Sequence, residues 1–363
     1  MKRIAIISSF AWIKVANNYG ALLQYYALQQ YLYNKGHYAF WIRYVLPTNI
    51  IRTLKNIIKM VLKSPSVALN TYLCHRSFLK YCKEYLNLSE AKYTECSLDE
   101  SYPLADYYIT GSDQVWGGTI PANYLCFVKD KHKKIAYAAS FGRTDIDKKQ
   151  LEIVAPWIKA FNHISVRESS GVEICKSIGC TAEHLLDPTL LIDSNKYPHT
   201  KRIVNNSYLF AYFLNVKNLD DIQWQSILDY SEQKGIELKI CAVQGSQFMF
   251  SKKYLVHPSP IEWLTYYRDA ELIFTNTFHG TVFAIIHHRP FVCILQSGNS
   301  AKQNTRMTSL LTIFGLCDRI CDGSSRVFDI ALKPIDWNYV DKVLQEWRLR
   351  TDNFFKFIND GIK

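Results

Sequence analysis

The sequence predicts an α/β protein with two Rossmann-like domains facing one another across a cleft. Three observations carry that expectation. The chain has 363 residues, which at about 150 residues per domain is enough for two. Short apolar runs alternate with helical patterns throughout, the arrangement that builds parallel sheets. A polar, aperiodic stretch from Ser194 to Ser207 separates two such series.

The elements follow in order. Ile4 to Ser8 is a continuous apolar run, as a strand covered on both faces requires. Ala21, Tyr25, Leu28 and Leu32 then recur on one helical face, and Lys35 with Gly36 supplies the last-turn cation and the glycine that close a helix. Tyr38 to Tyr44 is the next strand, so the opening reads as a βαβ unit with parallel pairing. Leu54, Ile57, Ile58, Val61 and Leu62 then fall at helical spacing within Ile51 to Lys63, with Arg52, Lys55, Lys59 and Lys63 on the other face. Such a helix either packs on its own domain and solvates its basic side, or contacts an anionic membrane surface through 51–63.

Short strands follow at Tyr107 to Thr110, Ile135 to Ala138 and His163 to Val166, then a helix from Glu168 to Ser177 and a strand ending at Leu185-Leu186-Asp187-Pro188. Beyond the polar stretch, strands are expected at Tyr208 to Phe213, Leu238 to Val243, Leu272 to Thr275 and Phe291 to Ile294. Helices separate them at Asp220 to Gln233, Ile261 to Arg268 and Thr281 to His287, with another at Met307 to Phe314. The expected domains are therefore 1–195, carrying a basic insertion near 51–85, and 205–335, with a C-terminal helix in 336–363.

Composition narrows the function classes. At 48% hydrophobic and 21% charged residues the chain is a folding protein rather than a disordered one. Its net charge of +11 favours an anionic partner. Between Ile51 and Tyr85 seven basic residues face the single acid Glu84. That concentration, with no aromatic-basic recognition motif, argues against nucleic acid. The ten cysteines include no C-x-x-C, and Cys175 with Cys180 or Cys317 with Cys321 lacks the second half of a zinc site, so reduced thiols are expected and no metal is required. The apolar start is too short for a signal peptide, which points to the cytoplasm, with a peripheral place on the inner face of the membrane if the basic helix docks there.

Candidate site residues cluster where strands end. Thr275-Asn276-Thr277-Phe278-His279-Gly280-Thr281 runs from a strand into a helix, whose amino end offers N–H donors and a positive dipole to phosphate or carboxylate. His279 stands at that rim, as a ligand or as a capping histidine. Asn17-Asn18-Tyr19-Gly20 occupies the same place after the first strand, with Asn18 as a helix cap. Gly111-Ser112-Asp113-Gln114-Val115-Trp116 gathers a carboxylate, an amide and an indole, a set that binds a sugar through Asp113, Gln114 and the Trp116 ring or else forms a capped turn over a buried Trp. Arg167 at a helix amino end opposes the dipole, which calls for a bound anion or a salt bridge. Lys302 and Arg306 precede a helix with the same logic.

Taken in order, Asn18-Tyr19-Gly20-Ala21-Leu22-Leu23-Gln24, Gly111 to Trp116, Ala138-Ala139-Ser140-Phe141-Gly142, Ser165-Val166-Arg167-Glu168, Leu186-Asp187-Pro188-Thr189-Leu190-Leu191 and Phe278-His279-Gly280-Thr281 resemble the polysaccharide pyruvyl transferase family. The resemblance implies a GT-B-like fold and transfer of pyruvate as a ketal from phosphoenolpyruvate to a sugar of a surface polysaccharide or its lipid-linked precursor, with no further cofactor. It implies that Arg167 and His279 serve the donor; because phosphoenolpyruvate carries both a phosphate and a carboxylate, the helix end at Phe278, Gly280 and Thr281 and the cations Lys302 and Arg306 are the further donor contacts expected from chemistry. From the residues themselves, acceptor contacts are expected at Asn18, Tyr19, Gly20, Gln24, Gln114 and Trp116, and the chemistry of the transfer makes His279 the candidate general acid and Asp113 the candidate base. The chain departs from better-studied branches in having Thr277 where they carry Arg, and Ala21-Leu22 where they carry an Asp-Glu pair. A nucleotide-sugar glycosyltransferase of the same architecture and a non-catalytic anion- or glycan-binding protein are the alternatives.

Overall fold

Strands that are apolar along their whole length need cover on both faces, and the chain meets that demand twice, each time with a fully parallel sheet. The computed structural model describes residues 1–8, 18–46, 50–204, 206–323 and 326–360, leaving aside the side chains of 50, 52, 56, 299 and 360. Asn17 and the side chain of Arg52 lie outside the described residues.

In chain order the first part holds β1 (Arg3–Ile7), α1 (Tyr19–Asn34), β2 (Tyr38–Tyr44), α2 (Ile50–Lys63), α3 (Pro65–Tyr85), β3 (Leu88–Tyr93), α4 (Glu95–Glu100), β4 (Tyr107–Thr110), β5 (Lys134–Ala139), α5 (Lys148–Ile158), β6 (His163–Val166), α6 (Ser169–Ser177) and β7 (Glu183–His184). The second part holds β8 (Tyr208–Leu214), α7 (Trp224–Lys234), β9 (Glu237–Val243), α8 (Pro260–Asp269), β10 (Leu272–Thr275), α9 (Phe278–Ile286), β11 (Phe291–Ile294), α10 (Asn304–Ile313), β12 (Ile320–Cys321), α11 (Val327–Ala331), α12 (Trp337–Phe354) and α13 (Lys356–Asp360). The sheets run β3-β2-β1-β4-β5-β6-β7 and β12-β11-β10-β8-β9.

Two units result: Met1–Ile57, Leu79–Ile192 and Gln345–Lys363 form the first, Ile58–Phe78 and Asp193–Leu344 the second. Ile58–Phe78, which the sequence keeps with the N-terminal half, joins the second unit, where α3 buries Val67, Cys74 and Phe78 and the Cys74 thiol lies 3.5 Å from the Pro258 carbonyl. Gln345 onward joins the first, because Phe354 and Phe355 pack on Tyr137 and Arg348 donates to the Leu190 carbonyl at 2.7 Å.

The central strands β4, β5, β10 and β11 are buried along their full length, and β2, β4, β6, β10 and β11 have the bounds their apolar runs predict. The strand expected to end at Pro188 stops instead at His184; Leu185 still donates its N–H to the Val166 carbonyl at 3.0 Å, and Asp187 caps the following turn. The edge strand β3 escapes sequence detection because it buries only Ser89 and carries no apolar run. No disulfide joins cysteines among the described residues.

In each sheet the chain works outward on one side and then restarts on the other. The reversals lie between β1 and β4 in the first unit and between β8 and β10 in the second. Connections leave the carboxyl ends of these neighbours in opposite directions, which is where open α/β sheets take their ligands.

His37, His163, His184, His199, His257 and His287 are all held below the ordinary imidazole value, chiefly because burial disfavours the imidazolium. As pH falls below 6.5 the unfolded chain takes up protons these sites refuse, so stability present above 6.5 is lost on acidification. The unfolding midpoint, followed by circular dichroism, is expected to fall steadily from pH 7 to about pH 5. A midpoint that stays level over that range would contradict this.

Candidate functional site

In the first unit, charged groups collect at the carboxyl ends of β4 to β7. Arg167, immediately after β6, lies 2.8 Å from Asp187, 3.2 Å from Glu168 and 3.5 Å from Asp113. Burial opposes its charge, but Glu168, Asp187 and Asp113 outweigh that and hold it above the ordinary arginine value. The anion that the sequence calls for beside Arg167 is therefore supplied by three of the chain's own carboxylates.

Asp187 is the hub of this network. One oxygen accepts from Arg167 and from the Ser112 hydroxyl at 2.8 Å, the other from the Thr189 N–H and hydroxyl at 3.0 and 2.6 Å. The Ser140 hydroxyl donates to Glu168 at 2.6 Å, and the His184 ring meets the Arg167 carbonyl at 3.0 Å. Ser112, Ser140, Glu168 and Asp187 are thus members of the site that reasoning from single residues passes over. Their signal in the sequence is that each follows a strand end in succession.

Asp113 itself is 7% exposed and sits at φ +68. Two neighbours fix that conformation. A Cβ on Gly111, at φ +124, would fall 2.0 Å from the Tyr137 carbonyl oxygen, so only glycine fits there. Gln24 accepts the Ser112 N–H at 3.0 Å and reaches toward the Ser8 hydroxyl at 3.5 Å, which in turn donates to the Ser112 carbonyl at 3.2 Å, tying the ends of β1 and β4 together.

Several acceptor expectations are corrected here. Trp116 is 0% exposed, stacked on Tyr124 at 5.8 Å and wedged against Phe141 and Phe161, so it has no face for a sugar. The indole is drawn inward because its apolar area is the largest in the loop. Gln24 is a buried brace rather than a ligand contact. Asn18 accepts the Ala21 N–H at 3.1 Å as the cap of α1, and Tyr19 and Gly20 are buried in its first turn. Gln114 is half-buried beside Gly142 and stands next to Asp113.

In the second unit the turn from β10 into α9 is built by threonines. The Thr277 hydroxyl caps α9 by accepting the Gly280 N–H at 2.9 Å and lies 3.0 Å from the Thr275 hydroxyl, which donates to the Tyr212 carbonyl. A Cβ on Gly280 would lie 2.1 and 2.5 Å from those two hydroxyl oxygens, which is why glycine follows the histidine. Asn276 pairs with both the N–H and the carbonyl of Leu214, at 2.9 and 2.7 Å, tying β10 to β8 as Gln24 ties β4 to β1. Gln296 donates to the Asn276 carbonyl at 2.7 Å and is itself clasped by Asn304.

His279 is 8% exposed and edge-on to Phe278. Thr281 turns into the core: its hydroxyl bonds back to the Thr277 carbonyl at 3.0 Å and approaches Cys293, so its side chain is removed from any donor. After β11, the neighbour of β10, Lys302 stands exposed and Arg306 on α10 is largely buried, donating to Gln303 at 2.8 Å. His279 and Gly280 thus follow β10, and Arg306 follows the adjacent strand β11 on α10, whereas the Thr281 hydroxyl is turned back onto its own helix. Among the described residues no group of three or more histidines, cysteines, aspartates or glutamates is placed to hold a metal ion.

Comparison with known proteins gives one family match: the description "Polysaccharide pyruvyl transferase" fits residues 18–298. No curated protein matches the chain. Among solved structures, an S. aureus MnaA co-structure with UDP aligns over 100% of this chain and 98% of its own, at 10% identity and a TM-score of 0.57. A UDP-N-acetylglucosamine 2-epimerase aligns over 100% and 97%, at 8% identity and 0.54. The Methanocaldococcus jannaschii UDP-GlcNAc 2-epimerase in complex with UDP-GlcNAc and UDP aligns over 95% and 99%, at 12% identity and 0.51. At such identities the likeness is one of fold, and it places the chain in the GT-B-like class of two-sheet α/β proteins.

Proposed function

The chain belongs to the polysaccharide pyruvyl transferase family, and from that premise we propose that it transfers pyruvate as a ketal from phosphoenolpyruvate to a sugar of a surface polysaccharide or its lipid-linked precursor. The observation that carries the donor and acceptor assignment is the separation of charge between the two strand-end clusters. Around Arg167 three carboxylates leave the first cluster acidic. Such a group repels phosphoenolpyruvate and suits a neutral polyol, whose hydroxyls donate to carboxylate oxygens. The second cluster offers the amino end of α9, Arg306 and Lys302, a set that suits a phosphate and a carboxylate together.

The chemistry follows from those surroundings. Protonation of the methylene carbon of phosphoenolpyruvate makes C2 oxocarbenium-like, and a sugar hydroxyl attacks it while giving up its proton. The C2–O bond to phosphate breaks, phosphate leaves, and a second hydroxyl closes the ketal with loss of its proton. His279 is the proposed acid at the methylene carbon and Asp113 the proposed base at the hydroxyl, each contributing about 10²–10⁴ in rate. Arg167 is then a positioning residue that holds Asp113, rather than a donor anchor. Thr277, where other branches carry Arg, is committed to capping α9, so the cation there falls to Arg306 and Lys302.

Thermal unfolding of the whole chain with candidate donors tests the reading. Phosphoenolpyruvate at about a hundred times its Kd is expected to add about 2.7 kcal/mol of stability, and UDP-sugars none. A midpoint raised by UDP-N-acetylglucosamine and unmoved by phosphoenolpyruvate overturns it in favour of nucleotide-sugar chemistry.

A further inference from the structure

The helix α2 shows water the side that an amphipathic helix normally hides. Ile51, Leu54, Ile57, Ile58, Val61 and Leu62 fall on one arc at about 100° per residue, and all six stand 43–81% exposed. A helix packed on its own domain with only its basic face solvated would bury that arc, so the structure excludes that reading. Lys55 and Lys59 are exposed too and continue around the helix from Leu62. The next helix repeats the pattern. α3 buries Val67, Cys74 and Phe78, while the opposite side exposes Leu69, Tyr72 and Leu73 and then Arg76, Lys80 and Lys83.

Exposed apolar area on this scale marks a surface made for contact, and its charged border names the partner. A second copy of the same arc would bring like charges together. Nucleic acid would satisfy the lysines but leave the leucines and isoleucines in water. An anionic bilayer satisfies both, taking the apolar arc among its acyl chains and the ammonium groups among its phosphates. Among the described residues no helix is long and apolar enough to cross a membrane, so a helix meeting lipid here lies along the surface.

We infer that α2, continued by α3, is an in-plane anchor that docks this protein on a membrane surface rich in anionic phospholipid. The inference is independent of the donor reading, since it is tested without substrate. Co-sedimentation of the full chain with vesicles of phosphatidylglycerol and phosphatidylcholine is expected to show binding that weakens as salt is raised, with much less binding to phosphatidylcholine alone. Lys55→Gln with Lys59→Gln is expected to weaken it about 30-fold at low ionic strength, from about one kcal/mol per cation at the surface. Leu54→Glu with Ile58→Glu is expected to abolish it while leaving the circular dichroism spectrum unchanged, because both side chains are exposed. Failure to bind the anionic vesicles, or undiminished binding by the Leu54→Glu/Ile58→Glu protein, overturns the inference. So does a dimer in sedimentation velocity that this variant dissociates, which would assign the arc to a second copy.

Discussion

Replacing Arg167 with leucine is expected to cost the fold about 3–5 kcal/mol, the penalty for leaving buried charge without its partner. The guanidinium is the cation shared by Asp187, Glu168 and Asp113, the first two of them almost fully enclosed. Its loss strands several negative charges at the ends of neighbouring strands. Lysine at the same position should recover only part of the loss, since one ammonium cannot reproduce the fork that meets three carboxylates. Urea denaturation reads the effect directly. A leucine variant as stable as the wild type, with only a raised KM for phosphoenolpyruvate, would return Arg167 to the donor and undo the separation of charge argued above.

The second large effect is on turnover. His279→Ala and Asp113→Asn are each expected to lower kcat by about 10²–10⁴ while the chain stays folded. Asparagine is the apt replacement at 113 because the residue sits at φ +68, a conformation asparagine accepts. Arg167 keeps Asp187 and Glu168 in that variant, so the network survives. Phosphate release from phosphoenolpyruvate in the presence of acceptor measures the rate, and the stabilisation of each variant by phosphoenolpyruvate measures donor binding. If His279 supplies the proton, His279→Ala loses turnover but keeps the donor's stabilisation; wild-type turnover in either variant removes that residue from the mechanism.

The alternation of apolar runs with helical spacing made the parallel sheets legible, and β2, β4, β6, β10 and β11 lie where their runs place them. The loops that matter were legible for the same reason, since strand ends in a parallel sheet converge on one edge. The roles inside those loops were less so. Trp116 is as good a sugar platform as a core residue until its neighbours Tyr124, Phe141 and Phe161 are seen around it. Gln24 and Ser112 are 88 residues apart, and nothing local announces their hydrogen bond.

Sequence by itself determined that this chain builds two parallel α/β sheets and that its chemistry-bearing residues sit at strand ends, because periodicity and strand-end motifs are local properties of the chain. Tertiary structure alone decided which way the side chains face: Arg167 toward carboxylates, Thr281 into the core, and the apolar arc of α2 out into water. The reason is physical. Periodicity states that a helix has two faces and a motif states that a charge is present, but the choice of face and of partner depends on groups far away in the chain.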